Sequence, residues 1–365
     1  MRVPFYDLAR QTAEIAADFA AASQAIVSEA RFVKGPRVAS FEDAWARHTG
    51  VAHVVATSSG TTALELALRC LDVGEGDEVI CPAMTFGATV GAVLAAGARP
   101  VLADVDRATG LISPRAVASA LSPRTRAIVP VHLYGRVADV AKLRLVAGPG
   151  VRIVEDAAQA HGARVGDVCA GALGDVAAFS FFPSKNLGCC GDGGALATSD
   201  PAIAGRARRL RDHGRATGDL HAERGFNFRM GELSAAWLSL SLPLLERRNA
   251  ARARLALAYR AALAGIADLE LPPASPPTVW HLYVVVSPRA PELALHLAAR
   301  GIETGRHYPR AIHQHPAFAP FFGGERYPEA ERFAAHGLSL PLFPGMTDPE
   351  QAAVIDAVRA FFGAG

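Results

Sequence analysis

"HVVATSSGTTALELALRCLDVG", residues 53–74, carries two different apolar periods in succession. Its first five residues are a short β-branched run and read as a strand, whereas GTTALELALRCLDVG places Leu64, Leu68 and Leu71 on one helical face. A strand feeding a helix is half of a parallel crossover unit. The same rhythm continues through DEVICP, TFGATVGAVLAAGA and RPVLADVD, and again through SPRAVASALS, RAIVPVHLYG, DVAKLRLVA and VRIVEDAAQ. Residues from about 51 to 200 are therefore expected to form an α/β layer with parallel strands. VAAFSFF and GGALATS close it as near-continuous apolar runs, the pattern of strands covered on both faces.

Beyond residue 200 the pattern changes. PAIAGRARRLRDHG reads as a helix, and GELSAAWLSLSLPLLERRNAARARLALAYRAALAG as one long helix bent at Pro243. VWHLYVVVS then reads as a strand, PELALHLAARG as a helix and DPEQAAVIDAVRAFF as a terminal helix. The expected division is a large domain over residues 1–240 and a smaller C-terminal α+β domain over 241–365. At 365 residues, half of them apolar, the chain is long enough to build both.

Composition removes several classes of function. The 37 basic and 35 acidic residues leave a formal charge of +2, too small a bias for general attraction to nucleic acid or an anionic membrane. An acidic ligand has to be recognised locally, and the basic run RARRLRDHGR (206–215) is read as a solvated helix face. MRVPFYDLARQ lacks the basic stretch and apolar block of a signal peptide, and no apolar run is long enough to span a bilayer, so a soluble cytoplasmic protein is expected. Five cysteines, with Cys189 and Cys190 adjacent, read as small buried thiols in a reducing compartment.

Four features fall on loops at strand ends, where open α/β sheets bind ligands. In TSSGTTAL (57–64), Gly60 and Thr61 open a helix directly after a strand, so free N–H groups and the helix dipole suit a phosphate. By itself the segment is better explained by an ordinary N-cap at Ser59 or Thr61. In IVEDAAQAHGA (153–163), Asp156 ends an apolar strand; it is either a helix-capping residue or a buried carboxylate that needs a cation, such as a protonated pyridine nitrogen, with Gln159 in reach of an adjacent ring substituent. Ser180 alternates with phenylalanines and is a phosphate donor or a small polar residue in a strand. Lys185, between an apolar run and a glycine-rich one, would lose hydration in a cleft, so that its pKa falls and the neutral amine can form a Schiff base with an aldehyde. A phosphate cradle, a buried carboxylate and such a lysine, in this order on an α/β sheet, are what pyridoxal phosphate requires.

The sequence also resembles the DegT/DnrJ/EryC1/StrS family of sugar aminotransferases almost end to end. The likeness runs from RFVKGPRVASFEDAWARHTG through SSGTTALELAL, GDEVICPAMTFGATV, TRAIVPVHLYG, VEDAAQAHGA and FSFFPSKNLG to WHLYVVV, GRHYP and LSLPLFPGMTDPE. The resemblance implies the aspartate-aminotransferase fold, with a mostly parallel seven-stranded sheet, and pyridoxal phosphate alternating with pyridoxamine phosphate (PMP). It implies that Lys185 holds the cofactor and carries the proton, that Asp156 faces the pyridine nitrogen and that Gln159 lies near the ring hydroxyl. Phe86 would cover the ring, and Gly60, Thr61 and Ser180 would bind the phosphate. Asn227 would reach that phosphate from a neighbouring subunit, which makes a homodimer with shared sites, and His307 and Tyr308 would line a sugar pocket. His307, His313 and His315 have no acidic or cysteine partner at a recognised metal spacing, so no metal is expected.

The reaction implied is amination of a keto group on a nucleotide-linked deoxysugar, with glutamate as amino donor, and the motifs favour C3 of a dTDP-3-keto-6-deoxyhexose. Alternatives are a ketocyclitol of the scyllo-inosose type, a C4 keto sugar, and a regulator that binds without turnover. Retention of Lys185 disfavours the family's dehydratases, which replace it with histidine. Cys189 and Cys190 depart from the small apolar residues expected at their positions.

Overall fold

The computed structural model describes residues 1–275 and 278–363. Strands β1 (His53–Thr57), β2 (Glu78–Pro82), β3 (Arg99–Ala103), β4 (Thr125–Ile128) and β5 (Arg152–Asp156) fall where the apolar runs place them. A small hairpin follows, β6 (Arg164–Val165) and β7 (Val168–Cys169), then β8 (Val176–Ser180) and β9 (Gly194–Thr198). The main sheet has seven strands in the order β1-β9-β8-β5-β4-β2-β3. It is mostly parallel: β9 alone runs against its neighbours β8 and β1.

Each crossover helix begins and ends for a local reason. The helix Gly60–Cys70 starts in a capping box, in which Thr62 N–H donates to Ser59 Oγ at 3.2 Å and Ser59 N–H donates to Thr62 Oγ1 at 3.0 Å. The helix Gly87–Ala96 stops at Gly97, whose φ of +92° is left-handed. Leu64, Leu66 and Leu68 of the first helix and Val90 and Val93 of the second are buried against Val79 and Val154 of the sheet and Val129 just after β4. On the opposite face, Trp45, Phe179 and Phe181 form a second core. Trp45 meets the two phenylalanines edge-on at 5.0 and 5.7 Å, contacts worth about 0.5–1.5 kcal/mol each beyond their buried area.

Residues before 51, outside the alternating pattern, form the helices Ala16–Glu29 and Pro36–Thr49. The second is capped from a distance: the buried Glu232 carboxylate accepts from Gly35 N–H and Arg37 N–H at 3.0 Å and from Val38 N–H at 3.2 Å. The expected long helix is two, Glu232–Ser241 and Leu245–Leu263, separated by one 3₁₀ turn at Pro243 because proline cannot donate into the ladder. The strand expected over VWHLYVVVS is shorter, β10 (Tyr283–Val286), because Trp280 adopts a left-handed φ of +50° and interrupts the extended run. It pairs antiparallel with β11 (Gly337–Leu340). One face of this pair, through Tyr283, Val285, Leu338 and Leu340, packs with Leu255, Tyr259, Leu293 and Val354 in a third core. The other, through Val284 and Val286, continues the core above the main sheet.

Three of the five arginines of 206–215 are paired: Arg206 with Asp72 and Glu223, Arg209 with Glu223, Arg211 with Glu42. The five cysteines are free thiols; four are buried as expected, and Cys190 is exposed on the loop before β9. No helix among the described residues is long and apolar enough to cross a membrane.

Candidate active site

Register across the sheet builds the first wall of a cleft. Gly194 of β9 pairs with Thr57 of β1 on one side and Ser180 of β8 on the other, so the ends of β1 and β8 are only one strand apart. The gap is narrow enough to demand glycine. A Cβ on Gly194 would lie 2.2 Å from Ser59 O, and one on Gly60 would lie 2.5 Å from Ser180 Cβ. Close contact brings the N-terminus of the helix Gly60–Cys70 against the Ser180 side chain. Gly60 and Thr61 are its first two residues, and their N–H groups have no carbonyl to meet inside the helix. The arrangement suits a dianionic phosphate.

The cavity behind this cradle has a volume of about 330 Å³. It is lined by Gly60, Thr61, Phe86, Asp156, Gln159, Ser180, Lys185, His307 and Tyr308, so nine of the ten sequence-predicted positions meet in one cleft. The tenth, Asn227, is exposed outside it, with its Oδ1 accepting from Arg229 Nε at 3.1 Å. His313 is also elsewhere, bonded to Glu331 at 3.1 Å.

Asp156, 5 % exposed, ends β5. Burial raises its pKa, against hydrogen bonds from Thr89 Oγ1 to Oδ2 at 2.9 Å and Ala158 N–H to Oδ1 at 3.2 Å and against the charge of Lys185. Lys185 moves in the opposite sense: burial pushes its amine down to about 8, and Asp156 only partly opposes this. Both groups are driven toward neutrality by the same loss of water. A cationic ring nitrogen placed against Asp156 would restore the carboxylate, and Lys185 is left as an amine with roughly a tenth unprotonated at neutrality. These residues fit the ring, aldehyde and phosphate of pyridoxal phosphate.

The remaining walls hold their side chains tightly. Gln159 accepts from Tyr134 N–H at 2.7 Å and donates to Tyr308 Oη at 3.0 Å. Burial lowers the His307 pKa to about 4, leaving a neutral ring whose Nδ1 is 2.9 Å from Ser339 Oγ. Phe5 stacks on that ring at 5.5 Å, because Val3 pairs with Ile302 and lays the N-terminal segment beside it. The exposed Phe86 ring lies 5.6 Å from Tyr308 at the mouth.

Several residues of the site carried no separate signal in the sequence. Thr89 sits one turn into a helix and looks like filler until the fold turns it onto Asp156. Asn186, next to the lysine, anchors its loop by donating to Asn249 Oδ1 at 2.8 Å and Val279 O at 3.0 Å. Glu155, adjacent to Asp156, accepts from the N–H groups of Gly171, Leu173 and Gly174 at 2.7–2.8 Å and from His132 Nε2 at 2.8 Å. Burial opposes its ionisation, yet His132 and the backbone donors hold the carboxyl below its usual range. Ala138 N–H donates to His132 Nδ1, so the ring proton sits on Nε2, toward Glu155.

Comparison with known proteins agrees with this geometry. The model of the DegT/DnrJ/EryC1/StrS aminotransferase family matches residues 13–359. The chain belongs to that family. As a DegT/DnrJ/EryC1/StrS aminotransferase it uses pyridoxal phosphate. It is 46% identical over 366 residues to the dTDP-3-amino-3,4,6-trideoxy-alpha-D-glucose transaminase of Streptomyces venezuelae, covering 98% of this chain and 96% of that protein. The crystal structure of S. venezuelae DesV in complex with a ketimine intermediate superposes with a TM-score of 0.96 at 45% identity, over 99% of this chain and 98% of that one. NtdA from Bacillus subtilis, solved with bound cofactor PMP, superposes with a TM-score of 0.93 at 31% identity, over 99% of this chain and 85% of that one.

Proposed function

We propose that the protein transfers an amino group from glutamate to the C3 keto group of a dTDP-linked 3-keto-6-deoxyhexose, working as a homodimer with shared sites. The observation that carries the reading is Lys185, a half-buried amine with its pKa lowered to about 8, in one cleft with Asp156 and the Gly60–Ser180 cradle. The likeness to the S. venezuelae transaminase supports a dTDP-linked sugar and carbon 3.

Pyridoxal phosphate, when bound, supplies an electrophilic aldehyde carbon and a ring that accepts electrons from the carbon undergoing proton exchange. Gly60 and Thr61 N–H groups and Ser180 Oγ hold the phosphate. Asn227 from a second copy of the chain completes that grip. Asp156 keeps a proton on the ring nitrogen, and the Thr89 hydroxyl holds the carboxylate in place. Gln159 and Phe86, which line the same cavity, would hold the ring in place. Lys185 Nζ would hold the cofactor's aldehyde end, and the neutral amine that its lowered pKa makes available would take a proton from the donor α-carbon and return one toward the product. His307 and Tyr308 form the wall that receives the sugar.

The test incubates the purified holoenzyme and glutamate with dTDP-3-keto and 4-keto sugars and with scyllo-inosose, and identifies products by NMR. Nitrogen on C3 of the sugar is expected. Nitrogen only on C4, or only on the cyclitol, would overturn the substrate assignment, and no amination at all would favour binding without turnover. Asp156→Asn should slow turnover at least about 100-fold with an unchanged circular dichroism spectrum; an activity within threefold of wild type would remove the carboxylate from the mechanism.

A further inference from the structure

Tyr134 occupies the turn after β4, in RAIVPVHLYG, and neither the phosphate cradle nor the lysine chemistry calls for it. Its ring is 1% exposed and its φ is +61°, a left-handed conformation that tyrosine adopts at a cost and that a surrounding structure must enforce. The enforcement is visible next door: Gly135 has φ +91°, and a Cβ there would lie 2.8 Å from His281 N, so the turn is wedged against the segment that precedes β10.

Held this way, Tyr134 bonds in two directions. Its N–H donates to Gln159 Oε1 at 2.7 Å, and its hydroxyl donates to the His307 carbonyl at 2.5 Å. Gln159 Nε2 in turn donates to Tyr308 Oη at 3.0 Å. The result is a closed circuit from Tyr134 to Gln159, to Tyr308, back through the His307 carbonyl to Tyr134. Burial raises the phenol pKa, so the hydroxyl stays a donor over any working pH.

We propose that Tyr134 is a positioning residue whose hydroxyl fixes the sugar-side wall, His307–Tyr308, relative to the ring-side Gln159. The inference rests on the function proposed above. It separates two halves of the site: the backbone bond to Gln159 survives loss of the hydroxyl, whereas the tether to His307 does not. Tyr134→Phe keeps the buried ring and the turn, so it isolates that tether.

Two measurements on the holoenzyme test it. In hydrogen–deuterium exchange, amides of residues 303–316 should exchange at least about fivefold faster in the variant, with the 156–163 segment unchanged. In kinetics, the keto-sugar KM should rise about tenfold with kcat within about threefold, while the single-turnover rate with glutamate stays within about twofold. Unchanged exchange at 303–316, or an equal loss in both half-reactions, would overturn the proposal and leave Tyr134 a packing residue. Faster exchange in a protein whose wild type aminates no keto sugar would overturn the proposed function instead.

Discussion

Replacing Gly60 with alanine tests the cradle by one methyl group. The new Cβ would stand 2.5 Å from Ser180 Cβ and 3.0 Å from Ser180 Cα. Carbon atoms settle at about 3.5–4.0 Å, so the two elements must part by roughly 1 Å or more. Ser180 cannot retreat easily, because β8 is paired with β5 on one side and β9 on the other. The start of the helix Gly60–Cys70 therefore moves away from the phosphate position, and a hydrogen bond of about 2.9 Å stretched by 1 Å is lost. Two bonds to a charged group, at about 1.5–3 kcal/mol each, convert to a cofactor affinity weaker by roughly 10²–10⁴-fold. The assay is titration of apoenzyme with pyridoxal phosphate, followed by absorbance. Gly91→Ala, in the next helix, is the matched control, since a Cβ there meets nothing within 4 Å. Gly60→Ala with affinity within threefold of the Gly91→Ala protein would refute the reasoning.

Burial of Lys185 also has a thermodynamic signature. With its pKa at about 8 in the folded chain and 10.5 ordinarily, the unfolded state binds more protons between those values, so apoprotein stability gains a contribution that rises with pH across that window. Lys185→Met should lack that slope in urea unfolding measured from pH 8 to 10.5, and parallel curves for the two proteins would contradict the depressed pKa. Glu155→Gln should cost about 3 kcal/mol in the same assay at neutral pH, because the carboxylate satisfies three backbone donors and His132 at once. Since the Glu155 pKa is lowered, its stabilisation is present above the ordinary carboxylate range and lost on acidification; the variant's deficit should therefore shrink in acid, and a loss below 1 kcal/mol at neutral pH would remove Glu155 from that role.

Much of this was legible in the chain itself. The alternating periods gave the crossover layer, and apolar strands ending in Asp156, Ser180 and the Ser59–Gly60 step marked the edge where the cleft opens. Local pattern could not reveal that β9 runs against its neighbours, because an antiparallel strand buried on both faces reads like a parallel one. Nor could it reveal Thr89, Asn186 or Tyr134, whose roles arise from partners 67, 63 and 173 residues away in sequence. Trp280 shows the same limit in the backbone: nothing in VWHLYVVVS announces a left-handed residue at its second position.

Lys185 is one of only three lysines in the chain, against a background of arginines. Lys34 is engaged by Asp212, and Lys142 stands exposed on the helix Val140–Ala147, away from the residues that line the cleft. Among the side chains, amine-directed coupling to a resin or sensor surface at mildly alkaline pH therefore meets two exposed handles, Lys34 and Lys142, and one reactive centre. With the cofactor in place to shield the latter, side-chain attachment is confined to Lys34 and Lys142, and the immobilised enzyme should present few orientations.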